Sequence, residues 1–223
     1  VADILRAELV PAPLRTQAGR LRAWAALERG RYSDALGELG AAPLEYRAGE
    51  VTEEAVLRAL AWLGMSKPDS ARAALRHALE EDPAGVWGGR ACRLLEHVAA
   101  GEDSVHDLDL VAQARERRGE LSRAADHWRG RVGSAVGREA AVARLRLAGV
   151  LRVARELTDA EQVLHEVLRG PWRWDVGCEG VWELARCAGR RGDDAEMAEA
   201  YGRYAASCPQ GPHVGEALWQ QAR

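Results

Sequence analysis

Residues 52–83 read TEEAVLRALAWLGMSKPDSARAALRHALEEDP, and their pattern of small side chains constrains the chain more than any other feature. Two amphipathic helical runs are joined at Met65–Pro68 and stopped at Pro83, where the ring removes a helix donor and clashes with the preceding turn. Ala59, Ala71, Ala78 and Pro83 follow one another at spacings of 12, 7 and 5. Two helices cross at close range only where a small side chain lets one backbone approach the other. The spacing therefore predicts a tightly crossed helical hairpin, and a chain assembled from such units is all-α.

The same phase runs along the rest of the chain. Residues 14–29 form a first helix around Ala23. Gly30 then turns the chain, and Ser33 caps a short second helix to Leu39. Ala35 and Ala42 keep the spacing there. After 52–83, residues 86–99 make an additional helix with no obvious mate, and Gly101–Asp107 reads as a polar loop. The pattern resumes at Leu108, with Ala112, Gly119 and Ala124. Residues 138–155 form a long helix around Ala148; its partner, 158–169, carries Ala160 and Val167 and stops at Gly170-Pro171. The last hairpin, 178–206, holds Ala185, a turn at Gly192, and Tyr201, Tyr204 and Pro209 in phase. Met197 stands there where a small residue is expected.

This series resembles the tetratricopeptide repeat, in which alanine-sized residues at the eighth, twentieth and twenty-seventh positions and a closing proline mark one hairpin. The resemblance implies a right-handed superhelix, an α-solenoid of antiparallel helical hairpins. The eighth-position residues are Ala23, Ala59, Ala112, Ala148 and Ala185, at intervals of 36, 53, 36 and 37. The family period is about 34 residues, so the long interval equals one repeat plus one extra helix. One helical-repeat domain over 1–223 is expected, or else two sub-arrays, 1–100 and 106–223, joined at Gly101–Asp107. The last 43 residues are also similar to the repeats of bacterial cell-envelope proteins, among them the superhelical domain of soluble lytic transglycosylases. The shared cadence is Tyr201, Tyr204, Pro209 and then Ala217–Trp219. A transglycosylase also needs a lysozyme-like catalytic domain, which this text does not supply.

Composition agrees with helix. Ala, Leu and Arg dominate, Asn and Phe are absent, and Lys67 and Ile4 are the sole residues of their types. No run of about 18 apolar residues is present, so no membrane insertion by this chain is expected. The chain opens VADIL without a charged-then-apolar leader, and both ends read as cut within helical text.

No catalytic constellation emerges, and no cofactor or metal is expected. His165-Glu166 begins a zincin-like string, but Arg169 occupies the second histidine position. Cys92, Cys178, Cys187 and Cys208 include no C-x-x-C pair. The glycines of 130–137 lack both the dinucleotide spacing and the Gly-Lys-Ser/Thr of a phosphate loop, and read as an inter-repeat connector. The acid pairs Glu53-Glu54, Glu80-Glu81 and Asp193-Asp194 are expected at helix ends, where those at a start face the dipole.

Charge is unevenly placed. The net charge of −3 disfavours a nucleic-acid partner. Residues 1–110 carry −5, residues 111–155 carry +7 and residues 156–223 carry −5. Arg115, Arg118 and Arg123 in the basic middle are candidates for an anionic partner, since Arg binds oxyanions bidentately. The alternative is a solvated face whose aliphatic stems cover Ala-rich helices.

A solenoid presents an extended groove built from its first helices. The groove positions implied by the family resemblance hold Trp24, Leu27, Val56, Leu60, Leu63, Leu145 and Trp182, candidates for anchoring another protein or a peptide. The alternative is that they pack within the protein. The family's carboxylate clamp uses Asn and Lys, and this chain has no Asn and a single Lys, Lys67.

In the last hairpin Cys178 lies 14 residues before Gly192 and Cys208 lies 16 after it. Antiparallel helices bring such positions side by side, so a disulfide is geometrically open to them. It would persist in an oxidising compartment; the alternative is that these cysteines are small buried hydrophobes. The expectation from sequence is a non-enzymatic protein-binding scaffold within a larger bacterial assembly. Alternatives are the superhelix of a periplasmic cell-wall hydrolase and the repeat domain of a cytoplasmic transcriptional regulator. A periplasmic or envelope location is favoured, with the cytoplasm as the alternative.

Overall fold

The computed structural model describes residues 12–40, 48–99, 104–192 and 194–222. Among them are twelve α-helices and no strand. They are α1 (Ala12–Glu28), α2 (Tyr32–Gly40), α3 (Ala48–Gly64), α4 (Pro68–Glu81), α5 (Val86–Val98), α6 (Val105–Arg117), α7 (Leu121–Ser134), α8 (Gly137–Val153), α9 (Leu157–Arg169), α10 (Arg173–Arg191), α11 (Asp194–Ser207) and α12 (Val214–Gln221). The chain divides into two compact units, 1–118 and 119–223. The joint anticipated at Gly101–Asp107 begins on residues outside the described ones.

Ala23, Ala35, Ala59, Ala71, Ala78, Ala112, Ala124, Ala148, Ala160 and Ala185 are all 0 % exposed. Ala42 lies outside the described residues. The small side chains that set the sequence phase therefore sit where backbones crowd, and Met197 is the one half-buried exception. Seven residues after each eighth-position alanine, the chain enters the left-handed region, at Gly30, Ser66, Gly119, Arg155 and Gly192. At three of these turns an identical backbone bond closes the helix. The N–H of Arg31, Lys67 and Glu156 donates to the carbonyl of Ala26, Trp62 and Leu151 respectively. That six-to-one bond, closed over a left-handed residue, satisfies carbonyls the helix end would leave bare.

Within each unit the helices pack against their near neighbours in the chain. In the first, α1 meets α2 and α3, α3 meets α4 and α5, and α6 meets α4 and α5. In the second, α8 meets α7, α9 and α10, while α11 meets α10 and α12. The core is correspondingly segmented. One cluster joins Ala23, Leu39 and Leu57; a second, around Val56, Leu75, Leu79 and Leu95, spans α3 to α6. In the second unit Trp182, Tyr201 and Tyr204 centre the cluster of α10 to α12.

Several expectations need correction. Helix α5 is not without mates: it packs on α3, α4 and α6. Gly88 permits this, because a Cβ there would collide with the backbone carbonyls of Asp82 and Pro83. The supposed loop at 101–107 is helical from Val105 on, and Asp107 is fully buried. Its carboxylate accepts hydrogen bonds from Arg76 Nε and, at 2.7 Å, from Arg72 Nε, which ties α6 to α4. The glycines at 130 and 133 lie inside α7, leaving Ala135–Val136 as the connector. Glu53 and Glu54 lie well inside α3 rather than at a helix start, and Glu54 is buried and paired with Arg58. The second unit has its own buried carboxylate, Glu183 on α10, which accepts from Arg152 of α8 at 2.7 Å and from Arg186 at 2.6 Å.

Candidate functional site

In the first unit, α1 and α5 both pack against α3, and together the three helices frame a cleft of about 360 Å³. Gln17, Arg20, Leu21 and Trp24 come from α1, Glu53 from α3, and Trp87 and Arg90 from α5. Trp24 and Trp87 meet edge to face with ring centroids 6.4 Å apart. The Arg90 guanidinium lies over both rings, 4.8 Å from the centroid of Trp87 and 5.6 Å from that of Trp24. Stacking of this kind uses the guanidinium face and leaves its N–H edge available.

Beneath this stack lies Arg20, which is buried. Its Nη2 donates to Glu50 at 3.2 Å and its Nε lies 3.3 Å from Glu53. Its Nη1 is buried and has no hydrogen-bond partner among the described residues. Burial pushes the Glu53 carboxyl above the usual carboxylate range; Arg20 opposes the shift, Glu50 adds to it, and Arg90 opposes it. The cleft thus combines two aromatic walls, two guanidiniums and the Glu53 carboxylate, with Glu50 holding the buried guanidinium from behind. It can hold an apolar side chain and an oxyanion together.

The sequence-derived groove candidates divide. Trp24 lines this cleft, and Leu27 is half-buried against the cluster of α1 to α3. Leu60 and Leu63 are half-buried and pack against the central core. Leu145 is half-buried beside Val167 and Val176. Val56 and Trp182 are not groove residues: both are buried. Trp182 stacks on His213 at 4.3 Å and is flanked by Tyr201 and Tyr204. The next elements of the chain cover it.

The three basic candidates are engaged inside the protein. Arg115 Nη2 donates to Glu96 at 2.6 Å. Arg118 Nη1 donates to the carbonyls of Ala84 and Gly85 at 3.1 and 2.7 Å, which pins the loop before α5. Arg123 lies 3.5 Å from Glu120. Sequence reasoning missed Trp87 and Arg90, because α5 had no place in the repeat phase, and Arg20, because nothing in the spacing marks a buried arginine on α1. A signal was nonetheless available: Trp87 and Arg90 stand three apart on a helix and so share a face.

The second unit has a larger cavity of about 630 Å³, lined by Val136, Ala140, Arg144, Glu166, Pro171 and Trp172 among others. Arg144 and Glu166 already pair across it at 3.4 Å. Cys178 and Cys208 form a disulfide with a Cα separation of 5.8 Å, joining the start of α10 to the end of α11. Cys92 and Cys187 are buried and not disulfide-bonded; burial and the Glu161 charge push the Cys187 thiol up to about 12, so it does not ionise at neutral pH. Among the described residues no three His, Cys, Asp or Glu side chains converge as metal ligands. Nor is any described helix long and apolar enough to cross a membrane. No family model matches the chain, and no curated protein matches it either.

Proposed function

We propose that this chain is a non-catalytic helical-repeat scaffold that binds another protein, as a subunit of a larger bacterial assembly. In this reading the hairpins wind as a right-handed, tetratricopeptide-like superhelix. The recurrence of buried alanine, left-handed turn and second alanine supports that geometry, as does packing confined to near neighbours within each unit. One observation carries the functional reading: Trp24 and Trp87, half-buried against the core clusters, hold an exposed, stacked Arg90 at an open cleft. Trp and Arg in partly desolvated pockets are the side chains that dominate protein interfaces.

The test is comparative. Wild-type protein and a Trp24→Ala/Trp87→Ala double variant, matched in helical content, serve as baits in extracts of the source organism. A partner recovered by the first and lost by the second supports the reading. Identical partner sets overturn it for this cleft.

A second reading, the superhelix of a periplasmic cell-wall hydrolase, is favoured by the Cys178–Cys208 bond, since disulfides persist in oxidising compartments. The same bond supports an envelope location for the scaffold. Non-reducing peptide mapping of protein trapped from native cells tests both, and four free thiols would remove that support.

A further inference from the structure

Resting on the scaffold reading, we infer that the Trp24–Trp87–Arg90 cleft recognises an extended peptide segment of the partner that presents an Asp or Glu side chain beside an apolar one. Arg90 is exposed and stacked on two rings. Among the described residues no carboxylate is salt-bridged to it, whereas Arg20, Arg58, Arg72, Arg115 and Arg152 each have one. A guanidinium fixed by stacking has lost less freedom still to be lost on binding, so a bidentate carboxylate is its matched ligand. Arg20, held by Glu50 and Glu53, adds positive charge to the same cleft wall.

The charge of the lining selects among oxyanions. Glu50 and Glu53 both engage Arg20, so the one lining guanidinium left without a salt-bridged carboxylate among the described residues is Arg90. A single carboxylate balances it, whereas a phosphate dianion meets repulsion from Glu53. A polyanion also meets the −5 carried by residues 1–110. The apolar half of the ligand follows from the rings and from Leu21, which is 65 % exposed at the edge of the cleft. A volume of about 360 Å³ lies at the small end of ligand pockets, suited to one or two side chains rather than a folded surface.

The experiment follows the indole N–H resonances of Trp24 and Trp87 by NMR, assigned with Trp→Phe variants. The probes are acetylated, amidated heptapeptides with one charged position: Gly-Leu-Ala-Glu-Ala-Leu-Gly, its Gln counterpart, and a phosphoserine counterpart. The Glu peptide is expected to shift both resonances saturably and to bind at least about tenfold more tightly than the Gln peptide, weakening as salt is raised. Arg90→Gln should abolish the difference, and Arg90→Lys, which keeps charge without the planar fork, should restore only part of it. Equal binding of Glu and Gln peptides overturns the carboxylate selectivity but leaves the scaffold reading standing. Tighter binding of the phosphoserine peptide overturns the choice of carboxylate. Silence from all three overturns the inference, while the scaffold reading is decided separately by the double-variant capture.

Discussion

Trp24 in the first unit and Trp182 in the second both sit on the first helix of a hairpin, yet they have opposite fates. Trp24 is half-buried, with Arg90 across its ring and a cleft beside it. Trp182 is walled by Tyr201 and Tyr204 of α11 and capped face to face by His213, just before α12. What differs is the following element, not the residue. In the second unit the chain returns over the tryptophan, and Cys178–Cys208 ties down the strand of connections that carries His213. An aromatic on a first helix is therefore a site or a core according to what comes to lie on it.

The sharpest way to break this comparison is truncation. Trp182→Ala should cost about 3–5 kcal/mol, since a buried ring leaves a cavity its neighbours cannot close. Trp24→Ala should cost about 1 kcal/mol while removing partner binding. Urea unfolding followed by circular dichroism measures both. Equal losses would mean that the two tryptophans are the same kind of residue after all.

The disulfide is the next lever. Opening Cys178–Cys208 by Cys178→Ser/Cys208→Ser releases a loop of sequence separation 30, and should cost about 3–4 kcal/mol. Hydrogen exchange should accelerate across α10 to α12 and leave α1 to α4 unchanged. Acceleration spread evenly over both units would contradict the segmented core.

Acid titration separates two carboxylates of the first unit. Burial pushes the Asp107 carboxyl up, but hydrogen bonds from Arg76 and Arg72 outweigh it and hold the group below its usual range. Its stabilising contribution is thus complete above about pH 3.9 and lost as the pH falls through the lower folded value. Asp107→Asn should cost about 2–4 kcal/mol at neutral pH, because two guanidiniums lose their partner, and should remove that acid dependence. Glu53 has the opposite sign: its folded carboxyl is raised, chiefly by burial, so stability declines as pH rises from about 4.3 through the folded value. Glu53→Gln should flatten that decline, and a Glu53→Gln profile parallel to wild type would show the carboxylate is not penalised.

Much of the fold was legible because small residues report close approach directly. Ala59, Ala71 and Ala78 could be placed in a helix crossing from spacing alone, and each is fully buried. Corresponding alanines from Ala23 to Ala185 follow suit. The cleft was not legible, for a physical reason: it depends on α5, which lies outside the repeat phase and folds back closely over the Asp82–Pro83 connector only because residue 88 is glycine. Asp107 was misplaced because an acidic residue beside Glu102 and Asp103 reads as solvated until Arg72 and Arg76, 35 and 31 residues away, are known to face it. Val56 shows the limit of positional inference, since a groove position becomes core once a neighbour crowds it.

The smallest expected effect tests the repeat itself. Five turns share one left-handed position, filled by Gly30, Gly119 and Gly192 in three cases and by Ser66 and Arg155 in two. An L side chain there costs about 1–2 kcal/mol, because Cβ crowds the following carbonyl. Glycine escapes that cost but loses about 0.5–1 kcal/mol more entropy on folding. Arg155 is exposed, so its replacement removes little packing, and the closing bond from Glu156 N–H to Leu151 O belongs to the backbone. Arg155→Gly should therefore stabilise by about 0.5–1 kcal/mol, and Ser66→Gly by a similar amount. Gly192→Ala, which meets no neighbouring atom, should destabilise by about 1 kcal/mol from backbone strain alone. Denaturant midpoints at constant slope read these differences. Loss of stability in both glycine variants would show that the five turns are not one structural position, and the common phase of the two units would fail with it.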